Sequence, residues 1–173
     1  MRAGICGKWR RLGWIGATEA AMPGSWPPAN FPQLGSHNHV ETSPATNLYN
    51  CIAWAAGNAT RWWWPDIANI GYWPPGVPRE ETISAFILAY ATQGYAPCTD
   101  GALEIGTEKL AVFGVRGGID IYPTHAALQL ENGRWSSKLG PCEDIEHDTL
   151  GALTGPLYGA PVCFLSRPRI VSP

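Results

Sequence analysis

Two side chains of this chain have the chemistry of a nucleophile and its base. Cys51 stands in "TNLYNCIAWAAGNATRWWWPD", and His125 stands in "YPTHAALQLENGRWSSKLG". An unperturbed thiol, with a pKa of about 8.5, is mostly protonated near neutral pH. Beside an imidazolium, or at a helix N-terminus where the dipole favours the thiolate, it becomes a good nucleophile. The backbone N–H of Cys51, with a side-chain amide from Asn47 or Asn50, would form an oxyanion hole. Asp144, in "PCEDIEHD", would fix the His125 ring, and Gln129 is the uncharged substitute for that role. Each residue also has a structural reading. A free cysteine in an apolar helix is usually a small core residue, and Asp144 equally suits a helix N-cap.

Three further features invite chemistry. Trp62, Trp63 and Trp64 would pack where a loop meets the core, with one of them, Trp63, walling a substrate groove. His37 and His39 form a His-x-His pair, which is two ligands where a zinc site needs more, so no metal is expected. "GVRGGID" lacks the helix and lysine of a phosphate loop, and no cofactor is expected.

The elements that would position these residues can be read from punctuation and period. A helix opens near Asn50 and closes at Gly57 or Asn58. A second begins at Pro78 in "VPREETISAFILAYATQG", with Ile83, Phe86, Ile87 and Tyr90 on one face. "KLAVFGV", "THAALQL" and "RWSSKLG" read as strands, the last two joined at Asn132-Gly133 in a tight hairpin. With a two-residue turn, Ala126, Leu128, Leu130, Trp135, Ser137 and Leu139 share the core face. His125, Ala127, Gln129, Ser136, Lys138 and Gly140 share the other, and a bulged turn would change that parity. "EDIEHDTLGALTG" reads as a short helix with His147 on its surface, and "APVCFLSRP" as a last strand. The order predicts an α+β domain over 46–173 with a small antiparallel sheet, preceded by an irregular arm over 1–45.

Composition sets the remaining limits. The 173 residues suit one domain. A net charge of -2 gives no reason to expect nucleic acid or an anionic membrane as partner. No 18-residue apolar run suggests a membrane span, and Met1 to Ala21 reads as a loose leader without a secretory signal. Five scattered cysteines without a CxxC argue against a disulfide framework and make the cytoplasm the default location.

"NCIAWAAG" followed by "EKLAVFGV" and "PTHAALQLENGRWSSKLG" resembles the core of the papain-like cysteine hydrolase superfamily, in the order found in bacterial cell-wall endopeptidases and CHAP-type amidases. "YNCIAWA", "WWWP", "VPRE" and "THAA" also resemble segments of a bacterial domain family of unknown function. The first resemblance implies a papain-like fold, with N-terminal helices carrying the Cys packed on the sheet carrying the His. It implies Cys51 as nucleophile and His125 as general base, and a peptide, peptidoglycan-like or other amide substrate. The Asp, Ser or Gly usual around the Cys in those enzymes is missing here, and no clear third polar residue follows His125 at their spacing, since Ser137, which falls near that place, is put on the core face by the two-residue turn. Two other readings remain: a papain-like binding module without catalysis, and a Trp-rich carbohydrate-binding domain. Hydrolase, transferase and deamidase chemistry, and the oligomeric state, stay open.

Overall fold

A computed structural model gives the structure, and it describes residues 29–169. The expected leader, Met1 to Ala21, lies outside the described residues. The strands are β1 (His39–Ser43), β2 (Ala96–Cys98), β3 (Thr107–Gly117), β4 (Asp120–Gln129), β5 (Trp135–Lys138), β6 (Asp144–His147) and β7 (Ala160–Pro168). They form a single sheet in the order β1-β6-β5-β4-β3-β7-β2, antiparallel at every pairing. Two short helices, α1 (Cys51–Ala55) and α2 (Ile83–Ala91), pack on one face. A 3-10 turn at Leu150–Leu153 helps to cover the other.

This corrects the expected α+β papain-like fold. The sheet is the architecture, and helices of five and nine residues are additions to it. Three local readings account for the difference. "EDIEHD" is a strand, because β6 fills the space between β1 and β5 and pairs with both. His39–Ser43, expected in the irregular arm, is the edge strand β1. α2 starts at Ile83 instead of Pro78, with Thr82 as its N-cap. Residues 78 and 79 are tied into the preceding loop. The Trp73 indole donates to the Pro78 carbonyl at 2.9 Å, and Arg79 donates to the carbonyls of Asp66 and Gly71 at 3.1 Å.

Both faces of the sheet are buried. Leu110, Val112, Ala126 and Leu165 face the helices with Ile52, Phe86 and Tyr90. Ala111, Phe113, Ala127, Trp135 and Ile145 face the other way, against Phe31, Leu153 and Leu157. Burying a side chain such as Phe86 or Leu110 contributes about 1.5–3 kcal/mol. Alternation from Leu110 to Phe113 on β3 and from His125 to Leu128 on β4 assigns these residues to faces, and a register shift between Phe113 and Gly114 ends it.

The β4–β5 hairpin departs from the two-residue turn. Leu130 and Arg134 are the closing pair, with the Leu130 N–H donating to the Arg134 carbonyl at 2.8 Å. Three residues, 131–133, make the loop, and Gly133 takes φ 84°. This is the three-residue loop with a left-handed glycine. The register therefore slips by one, with Leu128 opposite Ser136 and Gln129 opposite Trp135. Ser137 comes onto the His125 face, while Ser136 and Lys138 turn toward the helices.

Candidate functional site

Cys51 is the first residue of α1 and only 6% exposed. Asn50 caps the helix, and its Oδ1 accepts from the N–H groups of Ala53 (3.1 Å) and Trp63 (3.2 Å). Its Nδ2 donates to the Trp63 carbonyl at 2.7 Å. The Asn50 amide is thus committed to joining α1 to the tryptophan loop and is not an oxyanion donor. Asn47 is exposed. The N–H groups of Ala126, Ile52 and Cys51 itself point at the sulfur. Burial nevertheless outweighs them and pushes the thiol up to about 11, with the Lys138 charge acting the other way. The resting residue is a thiol rather than the expected thiolate, since the dipole of a five-residue helix is small against desolvation.

His125 is fully buried on the opposite face of β4, paired with Phe113 and stacked on the Tyr158 ring (4.1 Å, 10°). Its Nε2 lies 3.0 Å from the Ser137 hydroxyl. That hydroxyl lies 2.9 Å from His147 Nε2, and His147 Nδ1 lies 2.8 Å from the Thr149 carbonyl. Burial holds the His125 pKa well below its usual value and lowers that of His147 to about 4, so both rings are neutral. A carbonyl only accepts, so His147 Nδ1 carries the proton and its Nε2 is a lone pair. Ser137 must then donate to His147 and accept from His125 Nε2–H. The remaining nitrogen, His125 Nδ1, is left as a lone pair, and it has no hydrogen-bond partner. It makes no hydrogen bond with Cys51.

A pocket of about 10 Å³, room for one water, is lined by Asn50, Cys51, Trp62, Trp64, Thr124, Gly140 and Tyr158. The paired register of β4 with β5 runs only over Leu128 and Gln129, and the pocket lies past its end, toward Thr124 and Gly140. It holds Cys51 on one side and Tyr158, the stacking partner of His125, on the other. Tyr158 is fixed by a clasp in which Gly155 and Gly159 exchange hydrogen bonds of 2.9 and 2.7 Å, and by the Thr124 hydroxyl on its carbonyl at 2.6 Å.

The other expected site residues lie elsewhere. Asp144 does not orient His125. It sits on the helix side of β6, where Ser43 and Tyr49 donate to its Oδ2 and the Lys138 ammonium is 3.9 Å from its Oδ1. Gln129 shares the His125 face, but its Nε2 donates to the Gly101 carbonyl at 2.7 Å. Trp63 is 2% exposed and packs on Tyr72, so it is core, and Trp62 and Trp64 line the pocket instead. With Trp63 and Trp64 buried, the loop offers no three-ring platform for a sugar. His147 is buried, not on the surface. Among the described residues no three His, Cys, Asp or Glu side chains cluster as a metal site, and His39 is turned to the Gly35 carbonyl. No helix among them is long and apolar enough to cross a membrane.

A family model, described as a domain of unknown function (DUF7689), matches residues 40–166. The chain belongs to this family. The matched span of the DUF7689 domain runs from β1 into β7 and includes Cys51, His125, Ser137, His147 and Lys138. No match was found among curated proteins or among solved structures. Of the residues gathered around Cys51 and His125, the sequence reading put Ser137 on the core face and His147 on the surface, and it gave Lys138 no role at the thiol. The signal for the first was present, because "NG" admits a three-residue loop as well as a two-residue one, and only the longer loop brings Ser137 to His125.

Proposed function

We propose that this DUF7689 domain is a cysteine hydrolase acting on an amide or related acyl bond, with Cys51 as nucleophile and His125 as general base. The observation that supports it is the polarity of the relay from Thr149 through His147 and Ser137, which leaves a bare, buried lone pair on His125 Nδ1. A buried acceptor without a partner costs about 1–3 kcal/mol, and on His125 it is the one ring nitrogen with a lone pair to take a proton. The Ala126 N–H, on the residue next to His125, bears on the sulfur, and the pocket past the β4–β5 pairing is lined by Cys51 and by Tyr158, on which His125 stacks; in this reading the proton crosses the sheet there.

In the reaction the thiol proton passes to Nδ1 as sulfur bonds to the acyl carbon, so no free thiolate is needed. The carbonyl electrons move onto oxygen. The Cys51 N–H, which has no intrahelical partner at the first helical position, is the donor nearest to hand. His125 returns the proton to the leaving group, and a water activated by the same nitrogen then cleaves the thioester.

The test is acylation by p-nitrophenyl acetate and alkylation by a peptide vinyl sulfone, to whose double bond the sulfur adds, followed by intact mass spectrometry. The expected result is a single adduct on Cys51 that is absent in Cys51→Ala and at least 100-fold slower in a folded His125→Gln. Adduct formation at the same rate in His125→Gln would overturn the reading.

A further inference from the structure

We infer that Lys138 is a positioning residue for the Cys51 thiol, its buried ammonium held by Asp144 so as to stabilise negative charge on the sulfur. This rests on the nucleophile reading above.

Lys138 is a cross-strand neighbour of Asp144, and both side chains are buried, at 0% and 2% exposure. A lone buried cation is costly, and the protein retains this one by surrounding it. Its ammonium donates to the Cys142 carbonyl, faces Asp144 Oδ1 at 3.9 Å and lies 5.3 Å from the centre of the Tyr49 ring. Asp144 is in turn pinned by hydroxyl donors on its other oxygen, Ser43 and Tyr49. Packing then sets the direction of the charge. The Trp54 indole donates to Ser136 at 2.9 Å, anchoring the far end of α1 on β5, and Tyr49 stacks on Trp54 at 5.6 Å. Two residues along from the Leu128–Ser136 pair lie Ala126 on β4 and Lys138 on β5, both on the helix side. The Ala126 N–H points at the sulfur, so the lysine lies one strand across from the group that touches the thiol.

The groups around the thiol can be named element by element. Tyr49 precedes α1, and Tyr90 reaches it from α2 with its hydroxyl on the Ile52 carbonyl at 3.1 Å. Asp144 belongs to β6, and His125 lies on β4, turned to the opposite face. Cys142 and Glu143, in the β5–β6 turn, act on the lysine. Lys138 is the member of this set whose charge pulls the thiol down. It acts against burial, which also lowers the lysine's own pKa while Asp144 raises it.

The experiment measures the pH dependence of Cys51 alkylation by iodoacetamide, peptide by peptide, without substrate. In the wild type the rate should rise about tenfold per pH unit from 7 to about 10. In Lys138→Met the profile should move up by about one unit, a tenfold lower rate at pH 8, and Lys138→Arg should restore it to within threefold. Lys138→Gln, which can still bond the Cys142 carbonyl, is the variant to read if the methionine fails to fold. An unchanged profile in a folded Met or Gln variant overturns the inference. So does an arginine variant as slow as the methionine one, since that pattern belongs to packing alone. These rates need no acyl substrate, so they stand or fall apart from the His125-dependent acylation that tests the hydrolase reading.

Discussion

Replacing Ser137 by Ala removes one oxygen but strands two ring nitrogens. His125 Nε2–H loses its acceptor at 3.0 Å, and the His147 Nε2 lone pair loses its donor at 2.9 Å. Neither can turn to water, because both rings are buried. Nor can they bond each other across the gap that the hydroxyl spanned. At about 1–3 kcal/mol for each of the two stranded buried groups, the loss should be about 2–6 kcal/mol. For a domain of this size that is a fall in Tm of about 5–15 °C. Ser136→Ala is the matched control on the opposite face. Ser136 accepts only from the Trp54 indole, so its loss should cost about 1 kcal/mol. Urea denaturation followed by tryptophan fluorescence gives both values, and the acylation assay should show the Ser137 variant slowed while the Ser136 variant is not. A Ser137 variant within about 0.5 kcal/mol of wild type would refute the relay.

Three further outcomes are expected. His147 is neutral and buried with its pKa lowered to about 4, so its stabilising contribution is full above the unfolded value of about 6.5 and is lost as pH falls toward 4. Urea midpoints should accordingly report a loss of about 2 kcal/mol from this residue between pH 7.5 and 5, with His125 adding in the same direction. Gly159 takes φ 72°, and a Cβ there would collide with the Gly114 carbonyl oxygen, so Gly159→Ala should destabilise by more than about 2 kcal/mol and release Tyr158 from His125, read by near-ultraviolet dichroism. Asn50→Ala removes the cap on Ala53 and two hydrogen bonds that join α1 to Trp63, and should cost about 2–4 kcal/mol in thermal denaturation.

The strands that carry the site were legible where side-chain period is strong. "KLAVFGV", "THAALQL", "RWSSKLG" and "APVCFLSRP" all lie on β3, β4, β5 and β7, because near-continuous apolar runs belong to a sheet covered on both faces. The helix start at Cys51 was legible from Asn50. "EDIEHD" was not, because four of its residues are acidic and such a run after a proline has the composition of a first helical turn. Its burial depends on partners distant in sequence: Ser43, Tyr49 and Lys138 on Asp144, and Ser137 on His147. Asp144 was the natural choice of orienter for His125 on charge alone. Strand alternation sends it to the other side of the sheet, where its cation is a lysine. The relay was hidden by a single residue of loop length, which no local propensity decides.

That loop decides a buried contact, although it lies several residues from both Cys51 and His125. Surface hairpins usually tolerate insertions and deletions, since the entropic cost of changing loop length is small. Here, closing the same sequence with a two-residue turn, Glu131 opposite Arg134, would turn β5 over like a page. Ser137 would leave the imidazole for the helix side, and the buried ammonium of Lys138 would arrive beside His125, against a ring whose protonation it would oppose. The proton inventory of the site is therefore written partly in backbone geometry, and Gly133, which touches neither the thiol nor the imidazole, determines which hydroxyl the histidine meets.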